Sequence, residues 1–244
     1  MIVHYLPIAT TLFSAWFAAK LIRRRLPRPQ AHHLSWWAVG VVAYGLGTLL
    51  ESLITLIGWQ EGLFRAWYIA GALMGGAPLA QGTVYLIFTR RTAHWLSLAL
   101  VIVIIVGSTA VLSAPLDYSL VNPDLPQGRV IQWRWVRLIS PFINTYAFVF
   151  LVGGAVVSAI RFRKQRAFRG RFLGNCLIAV GAILPGIGGV SSRVGHTEVL
   201  YVTELIGIVL IYLGYRFCLQ DPPPISNAFS ACDDRVPVDH GRQP

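Results

Sequence analysis

Seven apolar stretches, each near 20 residues long, constrain the fold of this chain more than any other feature. They are Tyr5–Ile22, Trp36–Ile57, Trp67–Phe88, Trp95–Ser113, Phe142–Ile160, Phe172–Ser192 and Leu200–Phe217. A helix rises about 1.5 Å per residue, so each stretch is long enough to cross the roughly 30 Å hydrocarbon layer. Lipid offers backbone groups no hydrogen-bond partner, and a helix satisfies them within one segment. The expectation is an all-α integral membrane protein, a seven-transmembrane-helix bundle over residues 1–218.

Charge gives the bundle a direction. Lys20, Arg23, Arg24, Arg25 and Arg28 lie between the first two stretches, and Arg90 and Arg91 between the third and fourth. Arg161, Arg163, Lys164, Arg166, Arg169 and Arg171 lie between the fifth and sixth. With Arg216, 14 of the 21 cationic side chains fall on one side. The positive-inside rule then puts the amino terminus outside and the carboxyl terminus in the cytoplasm, as an odd number of spans requires. The expected location is a bacterial inner (plasma) membrane, crossed several times. The net charge of +11 sits at predicted membrane boundaries, where it meets anionic headgroups, so nucleic acid is not an expected partner.

With 13% charged and 55% hydrophobic residues, the composition is unlike that of a soluble domain. Met1–His4 carry no Lys or Arg, so the first stretch reads as a retained helix rather than a signal peptide. Three cysteines, Cys176, Cys218 and Cys232, are too few for a disulfide framework. Residues 219–244, with Pro222-Pro223-Pro224 and little apolar periodicity, are expected to form a disordered cytoplasmic tail.

Trp36, Trp37, Trp59, Trp67 and Trp95 fall at stretch ends, where an amphipathic indole sits at headgroup level. Pro78 and Pro185 lie inside the third and sixth stretches and are expected to kink them as hinges. In the long outer connection, Ile131, Trp133 and Trp135 alternate with Gln132 and Arg134. This follows Tyr118–Val121 and the turn-rich Asn122–Gly128. That pattern predicts a short extracytoplasmic β-hairpin between helices 4 and 5, lying over the bundle as a lid. An interfacial segment with two anchoring tryptophans fits the same residues.

Two ionisable residues lie well inside the stretches, Glu51 and Glu204. A charge there costs roughly 2.5 kcal/mol or more by insertion scales, so such residues face the bundle interior and mark function. Glu51 lies about two turns below Trp59 and Glu204 about one turn below Leu200, both in the outer half. The expected site is an outward-facing polar cavity with Tyr68, Asn144 and Tyr201 at similar depth. Arg193, His196 and Glu198 would form its rim and Gln81 its floor. A small molecule bound there, a proton shared between repelling carboxylates, or hydrogen bonds that only fix helix register would each suit the pair.

Enzyme chemistry has no template here. His196 and Glu198 form a His-x-Glu pair without further metal-spaced ligands, so neither a metal nor another cofactor is expected. There is no Gly-x-Ser-x-Gly elbow, no P-loop and no lysine in the seventh stretch for a Schiff base.

The basic inner loop leading to Trp36-Trp37-Ala38-Val39-Gly40 and Glu51 resembles part of the amino-terminal seven-helix sensor domain of bacterial membrane histidine kinases. So do the run Tyr68-Ile69-Ala70-Gly71 through Pro78 to Tyr85, Thr89-Arg90-Arg91 before Trp95, and Arg163-Lys164-Gln165-Arg166 leading to Ile183-Leu184-Pro185. The resemblance covers about residues 1–218. It implies a non-catalytic, receptor-like sensor that relays a helix shift to a cytoplasmic output. Only the 27 residues Cys218–Pro244 follow Phe217, so the output is expected on a separate cytoplasmic or membrane partner protein. The alternative is an accessory structural subunit packed against a larger membrane complex.

Overall fold

A computed structural model describes residues 6–122 and 126–221, without the Arg193 side chain. Its helices are α1 (Leu6–Arg25), α2 (His32–Ile57), α3 (Glu61–Trp67), α4 (Ala77–Ile87), α5 (Arg90–Ser113), α6 (Arg134–Ala147), α7 (Gly154–Phe162), α8 (Arg169–Arg193) and α9 (Thr197–Cys218). A π-helical turn at Tyr68–Leu73 follows α3 toward α4, and another at Phe148–Gly153 joins α6 to α7, giving seven rods. Residues 222–244 of the expected disordered tail lie outside the described residues.

Among the described residues, five segments are long and apolar enough to cross a membrane: His32–Ile57, Arg90–Ser113, Arg134–Phe162, Arg166–Ser192 and Thr197–Cys218. Such a set is compatible with a membrane protein. Lys20 and the Arg23–Arg25 run dilute the apolar character of α1, and the third rod is broken by the turn at Met74–Gly76. Pro78 therefore sits in the first turn of a restarted helix, where a missing N–H costs nothing, rather than at a kink. The Ala72 carbonyl beside the break accepts from Ser140 Oγ at 3.2 Å, so a neighbouring rod satisfies it. The outer surface is apolar. Phe142 is 81% exposed, and Val157, Val190 and Ile105 stand out as well, a pattern that suits lipid as the surrounding solvent.

The expected β-hairpin is absent, since no strand occurs among the described residues. Tyr118–Leu120 and Gly128–Val130 are single 3-10 turns, and α6 begins at Arg134. What pairing exists is one isolated antiparallel bridge, Leu116 to Ile131, flanked by Asp117 N–H to Val130 O (2.8 Å) and Gln132 N–H to Pro115 O (3.0 Å). Asp117 turns its carboxylate onto the Ser119 N–H at 3.0 Å, a local bond that competes with a ladder. Alternation over Ile131, Trp133 and Trp135 is too short to distinguish a strand from the entry to an amphipathic helix. Here Trp133 and Trp135 stack at 5.8 Å while Ile131 and Val136 turn inward.

The outer connection is nonetheless anchored. Leu116, Val130 and Ile131 are buried with Phe64, Tyr68 and Val111, and Gly128 lies so close to the Tyr68 ring that a Cβ there would sit 2.9 Å from it. Tyr118 donates its hydroxyl to Glu61 Oε2 at 2.7 Å, and Arg65 pairs with Glu61 Oε1. The Tyr118 hydroxyl first, and the Arg65 guanidinium second, hold the exposed Glu61 carboxyl below its ordinary value of 4.5. A depressed folded-state value means that this tie is complete above about pH 4.5 and is lost as pH falls through the lowered value. Hydrogen exchange at residues 116–121 should accelerate below that pH in the wild type. In Glu61→Gln it should already be faster at neutral pH.

The tightest packing joins α8 to α9. Glycines recur every seven residues on both helices in antiparallel register, Gly174 against Gly214 and Gly181 against Gly207, with Gly188 against Leu200. A Cβ on Gly181 would lie 2.6 Å from the Gly207 carbonyl oxygen, and one on Gly207 would lie 2.7 Å from that of Gly181. Small residues of this kind let backbones approach where lipid supplies no hydrophobic drive. Asp221 locks the end of the pair at which α8 begins. Its carboxylate accepts from Gly170 N–H at 3.2 Å and Arg171 N–H at 2.6 Å, in the first turn of α8, where a negative charge is favoured.

Candidate functional site

Glu51 is 2% exposed on α2, among buried residues that otherwise carry no charge. It follows Tyr44 by seven positions and Thr48 by three, so the three lie along one side of the helix. The Tyr44 hydroxyl crosses to α9 and donates to the backbone carbonyl of Glu204 at 2.9 Å. That bond joins the helix carrying Glu51 to the backbone of Glu204.

Neither carboxylate is fully satisfied. Glu51 Oε1 and Glu204 Oε2 are buried with no hydrogen-bond partner among the described residues, and neither glutamate forms an ion pair with one. An unpartnered buried polar atom costs about 1–3 kcal/mol, and more if charged. The hydroxyls nearby are committed elsewhere. Thr48 donates to Gly45 O (3.0 Å) and meets Thr11 across the α1–α2 seam at 3.0 Å, while Ser52 and Thr55 bond back to the carbonyls of Thr48 and Glu51. Ser14 Oγ, buried against Gly45 on that seam, is also unpartnered.

The other expected site residues do not all gather there. Tyr201 is buried on α9 one turn from Glu204, and Tyr68 is buried beneath Gly128 at the outer end of the third rod. Asn144 is exposed and donates to Ser140 Oγ at 3.2 Å on its own helix. His196 and Glu198 are exposed at the start of α9, apart from any rim. The Arg193 side chain lies outside what the structure describes. Pro185 lies within a continuous α8, its ring packed toward Gly207, and the helix is unbroken on both sides of it.

Gln81 has a different setting from a cavity floor. It is fully buried on α4, where its Nε2 donates to Ser97 Oγ (2.7 Å) and to Ala93 O (3.0 Å). Tyr146 donates its hydroxyl to Gln81 Oε1. Ser97 continues the chain to the Tyr85 hydroxyl at 3.0 Å, which meets His94 Nδ1 at 2.8 Å near the surface. This network ties α4, α5 and α6. Replacing Gln81 with leucine leaves the Tyr146 and Ser97 hydroxyls without it and should cost about 1–3 kcal/mol of stability, read as a lower melting temperature in detergent.

The sequence also held a signal that hydropathy did not expose. Gly174, Gly181 and Gly188 on one helix, with Gly207 and Gly214 on the next, share a seven-residue spacing that foretells a close antiparallel pair. No family model matches the chain, and no curated protein matches it.

Proposed function

We propose that this protein is a non-catalytic, receptor-like sensor in a bacterial inner membrane, amino terminus outside, that takes up a proton or small cationic ligand between Glu51 and Glu204. The observation that carries the reading is the pair of buried carboxylate oxygens, on two different rods, that have no partner among the described residues. An occupant that bonds both changes the preferred separation of α2 and α9, and it shifts the population toward whichever arrangement it binds better. Because α8 and α9 interlock through their glycines and the Asp221 cap, a displacement of α9 carries α8 with it. The basic loop Arg161–Arg171 at the start of α8 moves too, and it faces a separate cytoplasmic partner. The likeness to histidine-kinase sensor domains supports the same relay.

Spin labels at Gln30 and Gln165, both exposed at the inner end, test the relay once Cys176, Cys218 and Cys232 are replaced by serine. Titration of the reconstituted protein from about pH 8 to 5 should redistribute the label separation in the wild type and leave it fixed in Glu51→Gln/Glu204→Gln. An unchanged distribution in the wild type, across pH and with added alkylammonium ions, removes the proposal.

A further inference from the structure

Two apolar grooves flank α2 and meet toward its amino-terminal end. The first, of about 700 Å³, runs along Ser35, Val39, Val42 and Leu46 of α2, between the end of α1 and the Ala66–Met74 stretch of the third rod. The second, of about 330 Å³, passes over Met74 and Pro78 toward Val101 and Ile104 of α5. Ser35, Val39 and Met74 line both. Each volume lies within the roughly 300–1,000 Å³ range of ligand sites.

At Ser35 the junction meets a cation. Arg25, which lines the larger groove, donates from Nε to Ser35 Oγ at 2.6 Å and from Nη1 to the Arg28 carbonyl at 2.8 Å, fixing its guanidinium at the groove's end. Arg90 reaches the same connection through Gln30 Oε1 at 3.0 Å. Trp36 lines the smaller groove beside this junction, at the headgroup level where indoles concentrate. From Ser35 to Leu50 the larger groove follows about 22 Å of helix. One acyl chain spans about half of the roughly 30 Å hydrocarbon layer, so the groove accommodates its full length.

We propose that these joined grooves bind one anionic diacyl phospholipid of the inner leaflet, an acyl chain in each groove and the phosphate on Arg25. Two apolar channels that share Ser35, to which one fixed guanidinium is bonded, match the shape and charge of that molecule. A helix from another protein would fill one continuous trough and would need no cation at a fork. The site lies on a different side of α2 from Tyr44 and Glu51, so it stands independently of the proposed interior occupant.

Titration of dioleoyl phosphatidylglycerol into the delipidated full-length protein, followed by native mass spectrometry, tests the site. One saturable phosphatidylglycerol per chain is expected, in preference to dioleoyl phosphatidylcholine. Val42→Trp, which fills the larger groove from a partly exposed position, should weaken it about tenfold. Arg25→Gln should narrow the preference for the anionic lipid about fivefold, the worth of one interfacial cation. Val157→Trp, on an exposed face of α7 away from both grooves, should bind as the wild type does. Equal binding of the two lipids, wild-type binding by Val42→Trp, or a stoichiometric co-purifying protein that blocks the lipid would overturn the assignment.

Discussion

Replacing Glu51 and Glu204 together with methionine raises the stability of the protein while silencing it. Each carboxylate buries an oxygen with no partner among the described residues, and relief of that burden is worth about 1–3 kcal/mol per site. Methionine fills similar volume with an adaptable apolar chain, so little packing is lost in exchange. Thermal unfolding in detergent should move upward for the double variant, and the label separation between Gln30 and Gln165 should stop responding. The opposite sign is equally informative. If the glutamates served only to set helix register, their removal would lower the melting temperature, and no site would be needed to explain them. A stability gain with loss of response is the expected mark of groups kept for function.

The second large effect falls on the α8–α9 pair. Alanine at Gly181 would place a Cβ 2.6 Å from the Gly207 carbonyl oxygen and 2.9 Å from Leu210 Cβ, contacts that side chains cannot relieve because backbone lies on both sides. The helices must separate, at a cost of about 1–3 kcal/mol, and Gly207→Ala repeats the insult from the facing helix. Gly186 and Gly189 lie on the same α8 with open space where a Cβ would stand. Alanine at either should be neutral or slightly stabilising, because glycine is the poorer helix former by about 1 kcal/mol. Melting temperatures of the four single variants separate a specific seam from a general intolerance of α8 to substitution. A uniform loss across all four would remove the rigid-pair basis of the relay.

Hydropathy made the helices and the interior glutamates legible, because length and apolarity fix what can lie in lipid and a carboxylate stands out against that background. The helical phase was much less legible. In α6 a polar stripe of Arg134, Arg137, Ser140 and Asn144 stands at helical spacing, but depth alone grouped Asn144 with Glu51, and it is exposed on its own helix. Gln81 was misplaced for a related reason: nothing in the sequence tells that Ser97 and Tyr146 close around its amide. The π-turn before Pro78 and the grooves beside α2 depend on how three rods diverge, which no single stretch encodes. The failed hairpin rested on the alternation of Ile131, Trp133 and Trp135, which fall instead in an isolated bridge, at the N-cap of α6 and in its first turn.

The proposed switch depends on Glu51 and Glu204 acting on one another inside the bundle. Infrared difference spectroscopy of the reconstituted protein, following the carboxyl bands through a pH titration, measures that coupling. The account predicts that Glu51→Gln not only removes its own band but moves the titration of the Glu204 band. A Glu204 band that titrates identically in the wild type and in Glu51→Gln would contradict it.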